Sequence, residues 1–181
     1  HSDGPGRERR RRGRRGGLNP APPEGVVMLP IRRILFPTDF SEHAEHAWSY
    51  ALTFAREFGA EVHLLHVVTP PPRLAEAYAV NFDPDKMVKA LTQEANASMD
   101  KMVEAAKSWG MIFHREVRVG VDFREIIDYA AKHEINLIVM ATHGRTGLAH
   151  ALLGSVAERV VRKSPCPVLT IKHPPMKFEM P

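Results

Sequence analysis

One cysteine among 181 residues, Cys166, leaves no partner for an internal disulfide, so nothing in the chain calls for an oxidising compartment. No apolar run approaches the length of a membrane span. The arginine-rich start resembles the front of an export signal, but Gly and Pro follow it instead of an apolar stretch, so that reading fails. No Gly-Lys-Ser/Thr occurs, which removes the P-loop lysine that grips β/γ phosphates. The dinucleotide pattern Gly-x-Gly-x-x-Gly is missing too, and no Ser-His-Asp arrangement or paired carboxylates stand out as catalytic machinery. A cytoplasmic chain is expected, without membrane attachment.

Excess charge is also missing from most of the sequence. Residues 1–25 carry seven arginines against Asp3, Glu8 and Glu24, a net of +4 that equals the net charge of the whole chain. Residues 26–181 therefore hold 18 basic and 18 acidic residues and offer no electrostatic case for nucleic-acid binding. Residues 1–25, rich in Arg, Gly and Pro, cannot bury enough surface to offset their ordering entropy and are expected to be a disordered arm. The plain reading of that arm is a solvated leader, and the functional one is a polyanion-binding segment. Residues 26–173 are expected to form one α/β domain, and residues 174–181 a loose end.

What is present is an alternation of strand and helix. Apolar segments at 33–36, 62–68, 112–119, 135–141 and 168–171 read as five strands. Ser41 caps a helix to about Phe58, with Glu42 and Glu45 in its first turn and Gly59 as its stop. Residues 69–82, with three successive prolines, read as a long loop. Asp83-Pro84 starts a long helix that ends near Trp109-Gly110. Asp122 with Glu125, and Ser155 with Glu158, read as capping boxes opening helices to about His133 and Lys163. Strands separated by helices of this length predict an open, doubly wound, five-stranded parallel sheet with helices on both faces.

Such sheets bind ligands beyond the carboxyl ends of strands, where strand order reverses. Two loops carry suitable chemistry. Pro37-Thr38-Asp39 follows the first strand. After the fourth runs Ala141-Thr142-His143-Gly144-Arg145-Thr146-Gly147, ending at Gly154-Ser155 where a helix begins. Glycines let backbone N–H groups approach an anion, and a helix start adds unpaired N–H groups and a positive dipole end. If the first and fourth strands are neighbours, Asp39 faces this phosphate loop, and its carboxylate suits a ribose hydroxyl, a base amine or a metal. Arg145 is placed to add positive charge. Asp39 and Ser155 also have purely local readings, as turn and cap residues.

These residues carry a resemblance. The segments Ile34-Leu-Phe-Pro-Thr-Asp39-Phe-Ser41, Leu64-Leu-His-Val67, the 141–156 loop and Pro165-Cys-Pro-Val-Leu169 resemble the universal stress protein family over roughly residues 30–173. The family's ATP-binding branch has Gly, two residues, Gly, nine residues, then Gly-Ser or Gly-Thr. Gly144, nine residues, Gly154 and Ser155 fit the second part, while Ala141 stands at the first glycine. Alanine there is an obstacle only if that position needs φ > 0. The resemblance implies an adenine-nucleotide α-hydrolase-like fold that binds ATP, with Mg²⁺ as a counter-ion on its phosphates and no dedicated metal site on the protein. Pro37, Thr38 and Asp39 would lie by adenine and ribose, with Val67 as an apolar wall and Met140 beside it. Residues Ala141 to Gly147 would wrap ribose and phosphates, and Ser155, Val156 and Ala157 would meet the terminal phosphates at Gly154. It also implies a stress-response regulator with slow or no hydrolysis, and a homodimer through Val168, Leu169, Thr170 and Ile171. An interaction module without nucleotide affinity and, further off, an ATP-using hydrolase are the alternatives.

The histidines read as ordinary surface or strand residues. His43 and His46 share a helix face but lack a third ligand, and His63 and His66 fall on opposite faces of a strand.

Overall fold

The alternation within the strands separates two apolar faces. In β1 (Arg33–Pro37), Ile34 and Phe36 point to one side and Leu35 to the other, all three fully buried. The computed structural model describes residues 29–70, 83–144 and 153–172. The expected arm, nearly all of the expected 69–82 loop, the residues Arg145, Thr146 and Gly147, and the expected C-terminal tail lie outside the described residues.

The remaining elements are α1 (Glu42–Phe58), β2 (Glu61–Val68), α2 (Pro84–Ala106) with a 3₁₀ turn (Lys107–Trp109), β3 (Phe113–Val119), α3 (Asp122–Lys132), β4 (Leu137–Ala141), α4 (Ser155–Lys163) and β5 (Val168–Ile171). The strands form one parallel sheet in the order β3-β2-β1-β4-β5. Ala44, Ala47, Ala51 and Ala55 of α1 and Met99 of α2 pack on Ile34, Phe36, Val62, Leu64 and Val139. Ile126 and Tyr129 of α3 and Ala157 and Val160 of α4 pack on Leu35, Leu65, Ile138 and Met140. Helices thus cover both faces, as a parallel sheet requires.

Local signals set several boundaries. Ser41 Oγ accepts from the Ala44 N–H at 3.3 Å, and Gly59 ends α1 in the left-handed region at φ 63°. Asp83 accepts from the Asp85 and Lys86 N–H groups, with Pro84 in the first turn of α2.

The two expected capping boxes do not form. Helix α3 starts after Val121 with no side-chain cap, because the Asp122 carboxylate accepts from the adjacent Phe123 N–H at 2.7 Å while Glu125 faces Arg118. Helix α4 has Gly154 as its N-cap, so Ser155 is the first helical residue and not the cap. Strand β4 begins at Leu137, two residues later than expected. Asn136 Oδ1 accepts from the Arg32 and Arg33 N–H groups, and Glu134 turns at φ 49°.

Candidate functional site

Strand order reverses between β1, which leads to β2, and β4, which lies on its other side. A crevice of about 350 Å³ opens at the carboxyl ends of these strands. That volume is within the usual range for small-molecule sites.

The β1 side is built by a tight hydrogen-bonded turn. Thr38 N–H continues the ladder to Leu65 O at 2.9 Å, and its buried hydroxyl accepts from the Phe40 N–H at 3.1 Å. Phe40 adopts φ 61°, an uncommon conformation for a bulky residue. One oxygen of Asp39 accepts from both the backbone N–H (3.1 Å) and hydroxyl (2.6 Å) of Ser41, which itself caps α1. The carboxylate therefore supports a helix N-terminus and also lines the crevice. Behind it, His66 donates from Nδ1 to Thr38 O at 2.7 Å and stacks on Phe40 at 4.7 Å between centroids.

On the β4 side, Ala141 is the last strand residue, paired with Ile171. It is not among the described residues with positive φ, so its backbone makes no demand for glycine. Thr142 donates its N–H to Ile171 O at 2.9 Å, and its own carbonyl accepts from the Gly154 N–H at 2.7 Å, closing the base of the loop. A Cβ on Gly154 would lie 3.1 Å from that carbonyl. At Gly144 a Cβ would run into Asp39 Oδ2. Glycine at 144 therefore leaves the Asp39 carboxylate its place against the β4 loop, as a matter of space and not of φ. His143 Nδ1 lies 3.0 Å from the Thr142 hydroxyl.

The first intrahelical bond of α4 runs from the Glu158 N–H to Gly154 O. The N–H groups of Ser155, Val156 and Ala157 thus have no intrahelical acceptor, and the N-cap Gly154 has no side chain to cap them. They border the crevice.

The crevice brings together Pro37, Thr38, Asp39, Val67 and Met140 with Ala141, Thr142, His143 and Gly144, and with the Gly154–Ala157 corner. Sequence reasoning missed Leu65, His66, Thr69, Asp122 and Ile126, which also line it. Only the sheet order, with β2 beside β1 and α3 beneath, reveals them. The site is therefore bipolar, with carboxylates of Asp39 and Asp122 in the crevice, free-ended helix N–H groups at α4, and Val67, Ile126 and Met140 as apolar wall.

The universal stress protein family model matches residues 30–172. The universal stress protein MJ0531 of Methanocaldococcus jannaschii is 38% identical over 143 residues, covering 79% of this chain and 83% of that one. From the same organism, universal stress protein MJ0577 is 32% identical over 160 residues, covering 81% of this chain and 98% of its own. The solved structure of MJ0577 superposes with a TM-score of 0.72 at 33% identity, over 82% of this chain and all of that one (100%). A universal stress protein from Archaeoglobus fulgidus, solved in complex with dAMP, has the same fold, with a TM-score of 0.55 at 23% identity over 80% of this chain and 100% of that one. With this fold and a family match spanning the described residues almost end to end, the chain belongs to the universal stress protein family.

Proposed function

We propose that this protein binds an adenine nucleotide, ATP in particular, in the crevice between β1 and β4, and works as a nucleotide-dependent regulator of a stress response in the cytoplasm. The observation that carries this reading is the bipolar crevice. N–H groups at the start of α4 that lack an intrahelical acceptor suit phosphate, and the carboxylates at the other side suit ribose hydroxyls or a base amine. In this reading Pro37, Thr38 and Asp39 hold adenine and ribose, Val67 and Met140 form the apolar wall, and residues 141–147 wrap the ribose and phosphates. Ser155, Val156 and Ala157 meet the terminal phosphates, with Mg²⁺ bound to the nucleotide. The strand conformation of Ala141 supports nucleotide entry despite the missing glycine, since the methyl group is the only change. The crevice offers no lysine among its described lining residues to steady a leaving phosphate, so hydrolysis is slow or nil.

The partner we propose is a second copy, joined through Val168, Leu169, Thr170 and Ile171. Strand β5 is an edge of the sheet, and its first three residues are only partly buried.

Equilibrium dialysis of nucleotide-stripped protein against ATP and adenosine tests the reading. The expected result is saturable ATP binding below millimolar concentration, tighter than adenosine, and weakened at least tenfold by Ser155→Glu, which sets a carboxylate where phosphate would lie. Absence of saturable ATP binding would refute it and leave the interaction-module alternative.

A further inference from the structure

At the opposite edge of the sheet from the crevice, near the amino ends of β2 and β3, three metal-ligating side chains converge. Glu61 opens β2, and His63 follows two residues later on the same strand face. The parallel register sets His63 opposite His114 of β3. His114 Nε2 lies 3.0 Å from Glu61 Oε2, and the His63 and His114 rings stack with centroids 4.4 Å apart. One ligand atom from each of the three lies within 4.8 Å of the other two. Glu61 and His114 reach solvent, whereas His63 is only 5% exposed.

The second observation is independent of that clustering. His63 Nε2 is buried with no hydrogen-bond partner among the described residues. Buried polar atoms are ordinarily satisfied, so this one calls for an explanation. The other ring nitrogen, Nδ1, is 2.8 Å from the Tyr129 hydroxyl. With Nδ1–H donating to the phenol oxygen, Nε2 carries a lone pair facing away from Tyr129. A metal-bound histidine is oriented in this way, its far nitrogen fixed by an outer partner.

We propose that Glu61, His63 and His114 form a binding site for a late divalent transition metal of the Zn²⁺ class, with a further coordination position open to solvent. Two imidazoles and one carboxylate suit Zn²⁺ and its neighbours, whereas Mg²⁺ and Ca²⁺ take oxygen ligands. The 3.0 Å between His114 Nε2 and Glu61 Oε2 is a separation that two ligands of one small ion can hold. The nearby Arg33 guanidinium is engaged elsewhere, donating to Glu134 Oε2 (3.0 Å) and His133 O (3.1 Å). His133 stays outside the set, stacked on Tyr129 with centroids 4.0 Å apart. The metal would tie β3, an edge strand, to β2. It would also relieve the orphaned nitrogen.

The test uses the full chain, stripped with EDTA and free of nucleotide, titrated calorimetrically with Zn²⁺ and optically with Co²⁺. The expected result is Zn²⁺ binding that falls at least tenfold in both His114→Gln and Glu61→Gln, two solvent-reaching positions whose replacement leaves the far-UV circular dichroism unchanged. Co²⁺ should give the visible bands of a low-coordinate site, displaced by Zn²⁺ and missing in His114→Gln. Zn²⁺ should raise the melting temperature of the parent chain but not of His114→Gln, because a ligand of the native state stabilises it by mass action. His46→Gln, on α1, should bind as the parent does. Undiminished affinity in both His114→Gln and Glu61→Gln, an equal loss in His46→Gln, or no binding at micromolar Zn²⁺ would overturn the proposal. None of these outcomes depends on whether the crevice takes ATP.

Discussion

Tyr129→Phe isolates a single buried polar contact. Tyr129 is 2% exposed, its ring lies against His133 and under the Arg118 guanidinium, and its hydroxyl meets His63 Nδ1 at 2.8 Å. Burial is the main cause pushing the phenol pKa up to about 12, so the group is a neutral hydroxyl at every working pH. Phenylalanine preserves the ring contacts and removes only the oxygen. His63 would then have both ring nitrogens buried and unpaired, since Nε2 already lacks a partner among the described residues. A lost hydrogen bond contributes about 1 kcal/mol and a newly orphaned buried group about 1–3 kcal/mol, so a destabilisation of about 2 kcal/mol is expected. For a domain of this size that lowers the melting temperature by roughly 4–8 °C. Urea unfolding in EDTA at pH 7.5, followed by circular dichroism, measures it as a shift in midpoint at constant slope. The double variant Tyr129→Phe/His63→Leu removes both partners and should recover most of the loss, because a matched apolar pair leaves nothing unsatisfied. A Tyr129→Phe cost below about 0.5 kcal/mol, or a double variant as unstable as the sum of the singles, would refute the reasoning.

The same substitution should weaken Zn²⁺ binding by about 10–100-fold, the usual effect of losing an outer-shell partner, as read by calorimetry. Gly144→Ala should raise the dissociation constant for ATP about tenfold (about 1.4 kcal/mol), because the new methyl must displace the Asp39 carboxylate; equilibrium dialysis decides it. Cys166 should react slowly with an aromatic disulfide at pH 7. Burial pushes its thiol pKa up, only partly offset by the Ser164 hydroxyl, so the thiolate becomes available at higher pH than for a free cysteine. The rate should jump on adding denaturant, and an equal rate in the folded and unfolded chain would contradict the burial argument.

Elements set by local interactions were legible in the chain. Ser41 and Gly59 bound α1, and Asp83-Pro84 starts α2, because each boundary rests on hydrogen bonds or dihedrals within a few residues. The two mistaken capping boxes have the same composition and fail for non-local reasons. Gly154 becomes the cap of α4 because its N–H is bound by the Thr142 carbonyl at the end of β4. The Glu125 side chain faces Arg118 on β3 and leaves α3 uncapped.

The crevice divides in a similar way. Thr38, Asp39, Gly144 and Gly154 could be chosen from sequence because strand ends in a parallel sheet are where ligands gather. His66, Asp122 and Ile126 could not, because their place beside the crevice depends on β2 adjoining β1 and on the side that α3 covers.

By itself, the sequence determined the strand–helix alternation, the parallel sheet, the net charge confined to residues 1–25 and the resemblance to the universal stress protein family. Those follow from periodicity, caps and motifs, which are properties of neighbouring residues. Only the tertiary structure decided that Gly144 is needed for space beside Asp39, and that Ala141 sits in ordinary strand backbone. It alone set His63 against His114 and left the buried His63 Nε2 without a partner among the described residues, as it did His133 Nε2. Register between strands joins Glu61 and His114, 53 positions apart in the chain, which no local spacing could have associated.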